Sequence, residues 1–108
     1  MENKHTYTEY SFPNGQTIKC TVAFKYLPKL REQNKRIYSK LNHGLINGIE
    51  ELMETVYILD GAYLCACYAG ENGGADNIMS EADFIDALED DLMSVMVVCN
   101  SFLNKKKN

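Results

Sequence analysis

One segment of the chain cannot form an ordinary amphipathic helix on the protein surface. Residues 49–69 place apolar side chains on one side at helical spacing, with Glu50, Glu51 and Glu54 on the outer side. From residue 61 to residue 69 the sequence reads GAYLCACYA, which is apolar or aromatic nearly all round. A helix without a polar face must be buried on several sides or must form an interface. We therefore expect a helix over residues 49–69 whose second half is covered in one of these two ways.

Two short strands precede this helix. Residues 6–12 are rich in Tyr, Thr and Phe, and residues 16–22 alternate between apolar and polar side chains. Pro13-Asn14-Gly15 lies between them, and its Asn and Gly tolerate the positive φ angles of a tight turn. The pattern predicts a β-hairpin. Because a lone hairpin is only marginally stable, we expect it to pack on the helices.

Three further helices are predicted, over residues 24–42, from residue 80 to about 88, and through residue 103. Ser80 is the expected N-cap of the second, and Asp90 of the third. The resulting order, ββαααα, defines an α+β fold in which an N-terminal β-hairpin packs on a small, mostly α-helical bundle. The chain has 108 residues, enough for one domain. We assign residues 1–104 to it and residues 105–108 to a basic C-terminal tail.

The charges are segregated along the chain. Residues 1–43 contain eight basic and three acidic residues, whereas residues 44–104 contain twelve acidic residues and neither Lys nor Arg. Three lysines follow, and the formal net charge is −4. Such a chain can attract its own other half or a second copy head to tail. The alternative is two solvated faces of opposite charge.

Four basic residues fall on one side of the helix predicted for residues 24–42, and they are Lys25, Lys29, Arg36 and Lys40. On a continuous helix they lie within an arc of about 60°. This face is solvated, binds another protein, or follows the phosphates of a nucleic acid. Nucleic acid is the least favoured partner, because the sequence pI is about 5.1 and no helix-turn-helix or RNA-binding motif accompanies the lysines.

Three residues of the predicted 49–69 helix are further candidates for contact with a partner protein. Asp60 projects close to the middle of the apolar stripe, where it either hydrogen-bonds a backbone N–H or a Tyr hydroxyl, or contacts another subunit. Tyr63 and Tyr68 belong to the apolar end of the helix. A chain of this length needs most of its large apolar side chains in the core, so burial is the competing interpretation for both tyrosines.

No catalytic, cofactor or metal site is expected from the residue patterns. The sequence contains no Ser-His-Asp set, P-loop or dinucleotide fingerprint. Its cysteines, Cys20, Cys65, Cys67 and Cys99, lack the spacing of zinc ligands and have no nearby histidine motif. We therefore expect core cysteines and a protein that is not an enzyme.

Membrane insertion and secretion are not expected either. The longest apolar stretch, residues 56–69, is shorter than the roughly 20 residues of a membrane-spanning helix and contains an aspartate. The first residues, MENKHTYTEY, lack the apolar region of a signal peptide. These features predict a cytoplasmic protein.

Several segments together resemble the small tail assembly chaperones of long-tailed phages and prophages of Gram-positive bacteria. They are TYTEYSFPNGQTIKCTVAF, YLPKLREQNKRIYSKL, TVYILDGAYLCA and MSEADFIDALEDDLMSVMVVCNSFL, followed by KKKN. They cover most of the chain. Each is a pattern of residue classes and not a catalytic signature.

The resemblance implies a non-enzymatic chaperone in the cytoplasm of the bacterial host. Proteins of that family coat the tape measure protein until the tail tube protein polymerises around it, so the implied partners are the tape measure protein, the tail tube protein and further copies of the chain. They are often made in two lengths by a ribosomal frameshift. The lysines at 105–107 and Asn108 fit such a site, since these codons can form an adenine run; a solubilising basic tail is the alternative. The competing function is a small nucleic-acid-binding regulatory protein that uses the basic helix at residues 25–40.

Overall fold

Two strands and five α-helices make up the part of the chain that the structure describes. This structure is a computed structural model that describes residues 7–107, with side chains through residue 103. Its elements are β1 (Thr8–Ser11), β2 (Thr17–Cys20), α1 (Leu27–Gln33), α2 (Lys35–Asn47), α3 (Leu52–Tyr68), α4 (Glu81–Leu88) and α5 (Leu92–Lys107), with 3-10 turns at Phe24–Tyr26 and Ala75–Asn77. The α+β class, with a hairpin beside a helical bundle, is confirmed.

Helix α3 is the centre of the fold. Twelve of its 17 residues are buried, and it packs against β2, α1, α2, α4 and α5. Those elements cover it on several sides, as its sequence predicts for a helix that lacks a polar face. The helix begins at Leu52, three residues later than the pattern suggested.

Helices α2 and α3 approach each other closely where each carries a glycine. A Cβ atom at Gly44 of α2 would clash with the side chain of Ile58 on α3. A Cβ atom at Gly61 of α3 would lie 3.2 Å from Leu41 Cδ2 and 3.3 Å from Ile37 Cγ2. Because neither glycine has a side chain, Ile58, Leu41 and Ile37 fill the space between the helices and are fully buried.

The hairpin covers one side of the core, and the prediction of a β-hairpin is confirmed. The strands pair antiparallel with Tyr10 opposite Ile18, and Gly15 takes a φ of +96° in the turn. Tyr10, Phe12 and Ile18 are buried. The backbone N–H of Thr21 donates to the carbonyl of Ala62 at 3.0 Å, which ties the end of the hairpin directly to α3. Thr6, included in the predicted first strand, lies outside the described residues.

The single helix predicted for residues 24–42 is wrong. The chain breaks at Asn34, which has an extended φ of −152° and accepts a hydrogen bond from Ile37 N at 3.2 Å through its side-chain oxygen. It thereby caps a second helix, a role that Asn fills well because its side chain competes with the helical backbone. That helix also continues past residue 42 to Asn47, since Gly44 serves packing against α3 and does not end the helix.

Of the N-caps predicted for the last two helices, one is confirmed and the other is wrong. Ser80 caps α4 as predicted, since its Oγ accepts from Asp83 N at 3.1 Å. Helix α5 is capped by Asp91 and not by Asp90: Asp91 Oδ1 accepts from Ser94 N at 3.4 Å. Asp91 Oδ2 also accepts from the hydroxyl of Tyr10 at 2.9 Å, so the hairpin selects which aspartate caps the helix.

Three further predictions, on the cysteines, on membrane-spanning helices and on the C-terminal residues, can be compared with the structure. All four cysteines are buried and none is in a disulfide within the described residues, in agreement with core packing. No helix within residues 7–107 has the length and apolar character needed to cross a membrane. The backbone at 105–107 belongs to α5, and Asn108 lies outside the described residues.

The cap at the break between α1 and α2 gives a direct test. Asn34→Ala should lower the free energy of unfolding by about 1 kcal/mol, because the N–H of Ile37 loses its acceptor. Asn34→Ser keeps a capping oxygen and should stay within a few tenths of a kcal/mol of the unchanged protein. Urea denaturation measures both. Equal stability of the two variants would contradict the capping role.

Candidate functional site

The predicted basic face divides into two groups, because the helix that was to carry it is broken at Asn34. Arg36 and Lys40 lie on α2 above the ring of Tyr57, with their charged groups 5.2 and 5.6 Å from its centroid. Arg36 Nη2 also donates to Glu81 Oε2 at 2.7 Å. Arg36 is therefore paired within the chain and links the basic half of the sequence to the acidic half. Lys19 does the same, since its Nζ lies 3.3 Å from Glu71 Oε1.

The second group of basic residues surrounds a shallow depression at α1. Its volume is about 700 Å³, and it is lined by Lys25, Pro28, Lys29, Arg31, Glu32 and Lys35. Lys29 lies 4.0 Å from Glu32, an exposed pair that contributes little stability. Lys25 and Lys29 thus stay together, but their neighbours are Arg31 and Lys35 and not Arg36 and Lys40.

Asp60 is buried and does not form part of the surface. Only 3% of the residue is exposed. The pKa of its carboxyl is raised to about 7, mainly by burial and also by the nearby Glu81 carboxylate, while Arg36 partly opposes the shift. Within the described part of the chain no hydrogen bond to this carboxyl is found, in contrast to the predicted bond to a backbone N–H or Tyr hydroxyl. The contact with another subunit stays a prediction; in the single chain the residue is buried.

Tyr63 and Tyr68 differ in exposure. Tyr63 is buried: its hydroxyl accepts from Met79 N at 2.9 Å and its ring lies 5.3 Å from that of Phe84. Burial raises the pKa of Tyr63 to about 12. Tyr63 therefore belongs to the core, which corrects its prediction as a contact residue. Tyr68 is half-buried and lines a surface cleft together with Lys29.

An exposed apolar surface lies on α5, and we name Leu92, Met93 and Val97 the α5 apolar surface. Met93 is 76% exposed and Val97 66%. Both line a shallow cleft beside β1. Leu92 lies across the helix and lines a second cleft of about 230 Å³ with Met53, which is also exposed. Adjacent exposed apolar side chains of this kind mark binding surfaces.

The contact residues predicted from the sequence do not include this surface. The signal was present: residues 92–99 read LMSVMVVC, with Ser94 as the one polar residue. That run lacks a polar face just as residues 61–69 do. In α3 the fold covers such a run, whereas in α5 it leaves one side open.

Acidic residues border the cleft beside Leu92. Its lining includes Glu89, Asp90 and Asp91 as well as the apolar side chains. An apolar cleft with an acidic rim suits a helical segment that has an apolar face flanked by basic residues. The arrangement offers a binding surface of mixed apolar and acidic character.

Comparison of the chain with protein-family models, with curated proteins and with solved structures finds no match. The resemblance to tail assembly chaperones therefore stays a prediction. The function has to be argued from the geometry of the surfaces described above.

The buried carboxyl of Asp60 gives a pH-dependent prediction. Its pKa is about 7 in the folded chain, against an ordinary value of 3.8 for an aspartate side chain, so the folded state binds the proton more tightly. Stability contributed by this group therefore falls as the pH rises from about 4 to 7. Asp60→Asn removes the titration and should stabilise the protein at pH 7.5 by about 1 kcal/mol or more, and by clearly less at pH 4.5, where the folded-state carboxyl is protonated and the unfolded-state one only partly ionised.

Urea denaturation of both proteins across this pH range measures the difference. A difference in stability that is the same at pH 4.5 and pH 7.5 would contradict a raised pKa for Asp60.

Proposed function

We propose that this protein is a non-enzymatic phage tail assembly chaperone that self-associates and binds the tape measure protein in the cytoplasm of its bacterial host. The observation that carries the proposal is the α5 apolar surface, an exposed group of Leu, Met and Val side chains beside two clefts. The resemblance of the sequence supplies the identity of the client. We place the client on the α5 apolar surface because its side chains are apolar and exposed.

A long, hydrophobic client needs an adaptable apolar surface. Met93 and Met53 are exposed, and methionine side chains adjust to irregular partners because they are unbranched and polarizable. A surface of this type binds many segments of similar character without requiring one sequence. The acidic rim at Glu89, Asp90 and Asp91 favours client segments that carry basic residues beside their apolar face.

Self-association is supported by the charge that remains after internal pairing. Arg36 and Lys19 are neutralised within the chain, whereas the α1 depression gathers four basic residues around one glutamate. Exposed acids on α4, including Asp83 and Asp86, offer the opposite charge on a different element. Contact between the two sides of different copies is heterologous and can repeat, which suits a chaperone that coats a long client. The tail tube protein is a further partner in this proposal.

A second candidate function is nucleic-acid binding, and the α1 depression is the observation that favours it. Four basic side chains around one shallow depression can contact phosphates. The candidate ranks below the chaperone because the chain as a whole carries a net charge of −4 and repels polyanions at long range.

The chaperone proposal is tested by co-expression with the tape measure protein encoded in the same genome. The double variant Met93→Glu/Val97→Glu should reduce co-purified tape measure protein about tenfold or more, since loss of central apolar contacts commonly costs about 2 kcal/mol or more. Ile46→Glu is the matched control: Ile46 is equally exposed but lies on α2, outside the α5 apolar surface. Its yield of complex should equal that of the unchanged protein.

Two results would contradict the proposal. One is a complex that survives Met93→Glu/Val97→Glu. The other is the absence of any complex together with nucleic acid in the purified protein that is lost in Lys25→Glu/Lys29→Glu and weakens steeply with salt, which would favour the second candidate.

A further inference from the structure

Three potential metal ligands converge where α2 ends and α3 begins. His43 Nε2 lies 3.3 Å from Glu50 Oε1 and 3.9 Å from Glu54 Oε2. All three donor atoms lie within 4.8 Å of one another. Bonds of about 2.0–2.1 Å to a tetrahedral metal ion place neighbouring donor atoms about 3.3–3.4 Å apart. The present separations are therefore within small side-chain adjustments of those in a zinc site.

Charge at this cluster favours a cation. The three side chains carry a formal charge of −2 when the histidine is neutral. Within the described part of the chain, the ion pairs of Glu50 and Glu54 involve His43 and no Lys or Arg. Two carboxylates thus lie beside a single imidazole, and a divalent ion would neutralise both.

The orientation of Glu54 is already fixed by the backbone. Its Oε1 accepts from the N–H of Glu50 at 2.8 Å, which leaves Oε2 directed at the imidazole of His43. Glu54 is also the least exposed of the three side chains, at 18%. One ligand is thereby held in place before a metal ion binds, which reduces the ordering cost of binding.

Asn47 supports the imidazole from the other side. Its side-chain Nδ2 lies 3.4 Å from His43 Nδ1, so the amide donates to the imidazole as the structure stands. A 180° rotation of the amide places Oδ1 there instead, where it accepts from Nδ1–H and leaves the Nε2 lone pair for a metal ion. Histidine ligands of metals generally donate their second N–H in this way.

We infer that His43, Glu50 and Glu54 form a binding site for zinc or a similar first-row transition metal ion, with a fourth position open to solvent. One imidazole nitrogen and two carboxylate oxygens favour Zn²⁺ over Mg²⁺ and Ca²⁺, which prefer oxygen ligands throughout. Bound metal joins the last turn of α2 to the first turn of α3 across the connection at Gly48 and Ile49. The site is independent of the proposed chaperone function.

Sequence analysis expected no metal site because it searched for paired histidine and cysteine motifs. Here the ligands are separated by a turn, and the geometry depends on the continuation of α2 past residue 42. A helix that ended there would not have placed His43 beside Glu54.

The test uses protein purified without a histidine tag and without prior chelation or metal loading, followed by titration with ZnCl₂ and, separately, CoCl₂ at pH 7.5. Zinc should bind at one equivalent and raise the Tm by at least about 4 °C at saturation. Cobalt should give visible absorption bands of tetrahedral coordination. Excess Mg²⁺ should not displace either ion.

Variants separate this site from adventitious binding. His43→Ala and Glu54→Gln should each weaken zinc binding more than about tenfold, and Asn47→Ala about tenfold through loss of the support to the imidazole. Glu51→Gln is the matched control, since Glu51 is an exposed neighbour outside the cluster, and its affinity should be unchanged. None of the four residues is fully buried, so the variants are expected to fold.

The inference is overturned by either of two results. The first is the absence of zinc binding at one equivalent. The second is zinc binding of equal affinity in His43→Ala and in the unchanged protein, which would place the ion elsewhere, for example on a thiol.

Discussion

Burial of α3 on several sides is the constraint to which the rest of the structure is fitted. Its second half has no polar face, so every turn must be covered by another element to avoid exposing apolar surface to water. The hairpin, α2 and α5 provide most of that cover. Close contact with α2 is possible because Gly44 and Gly61 remove side chains at the crossing, and Ile58, Leu41 and Ile37 occupy the space.

The burial of α3 also explains two features that lower the stability of the isolated chain, a buried carboxyl and an exposed apolar surface. Asp60 lies in the covered part of α3, and the burial of its carboxyl disfavours the charged form. Helix α5 contributes Val95, Cys99 and Phe102 to the core but is apolar on its other side as well. With α3 already covered, nothing in the described part of the chain covers Met93 and Val97. We propose that a client protein does.

Local patterns in the sequence were sufficient for the elements that depend on local chemistry. Alternation and the Pro13-Asn14-Gly15 turn predicted the hairpin, and Ser80 followed by Asp83 predicted the start of α4. The break at Asn34 could have been inferred from the capping preference of Asn, but a continuous apolar stripe on both sides concealed it.

Features that depend on contacts between distant residues could not be predicted. Asp91 caps α5 in place of Asp90 because Tyr10 of the hairpin donates to it. Arg36 is separated from Lys25 and Lys29 by the break at Asn34, and Glu81, 45 residues away, accepts a hydrogen bond from it. The exposure of Met93 and the cluster at His43 likewise follow from how the helices are arranged. Net charge and periodicity alone contain no information about such pairings.

The central claim is that α3 forms a covered core while α5 presents the binding surface. Amide hydrogen exchange, measured on the free protein and on its complex with the tape measure protein, tests it most directly. The account predicts that α3 exchanges most slowly in both states and that binding slows exchange in the first two turns of α5. Exchange in α3 as fast as in α4, or protection confined to residues 25–35, would contradict it.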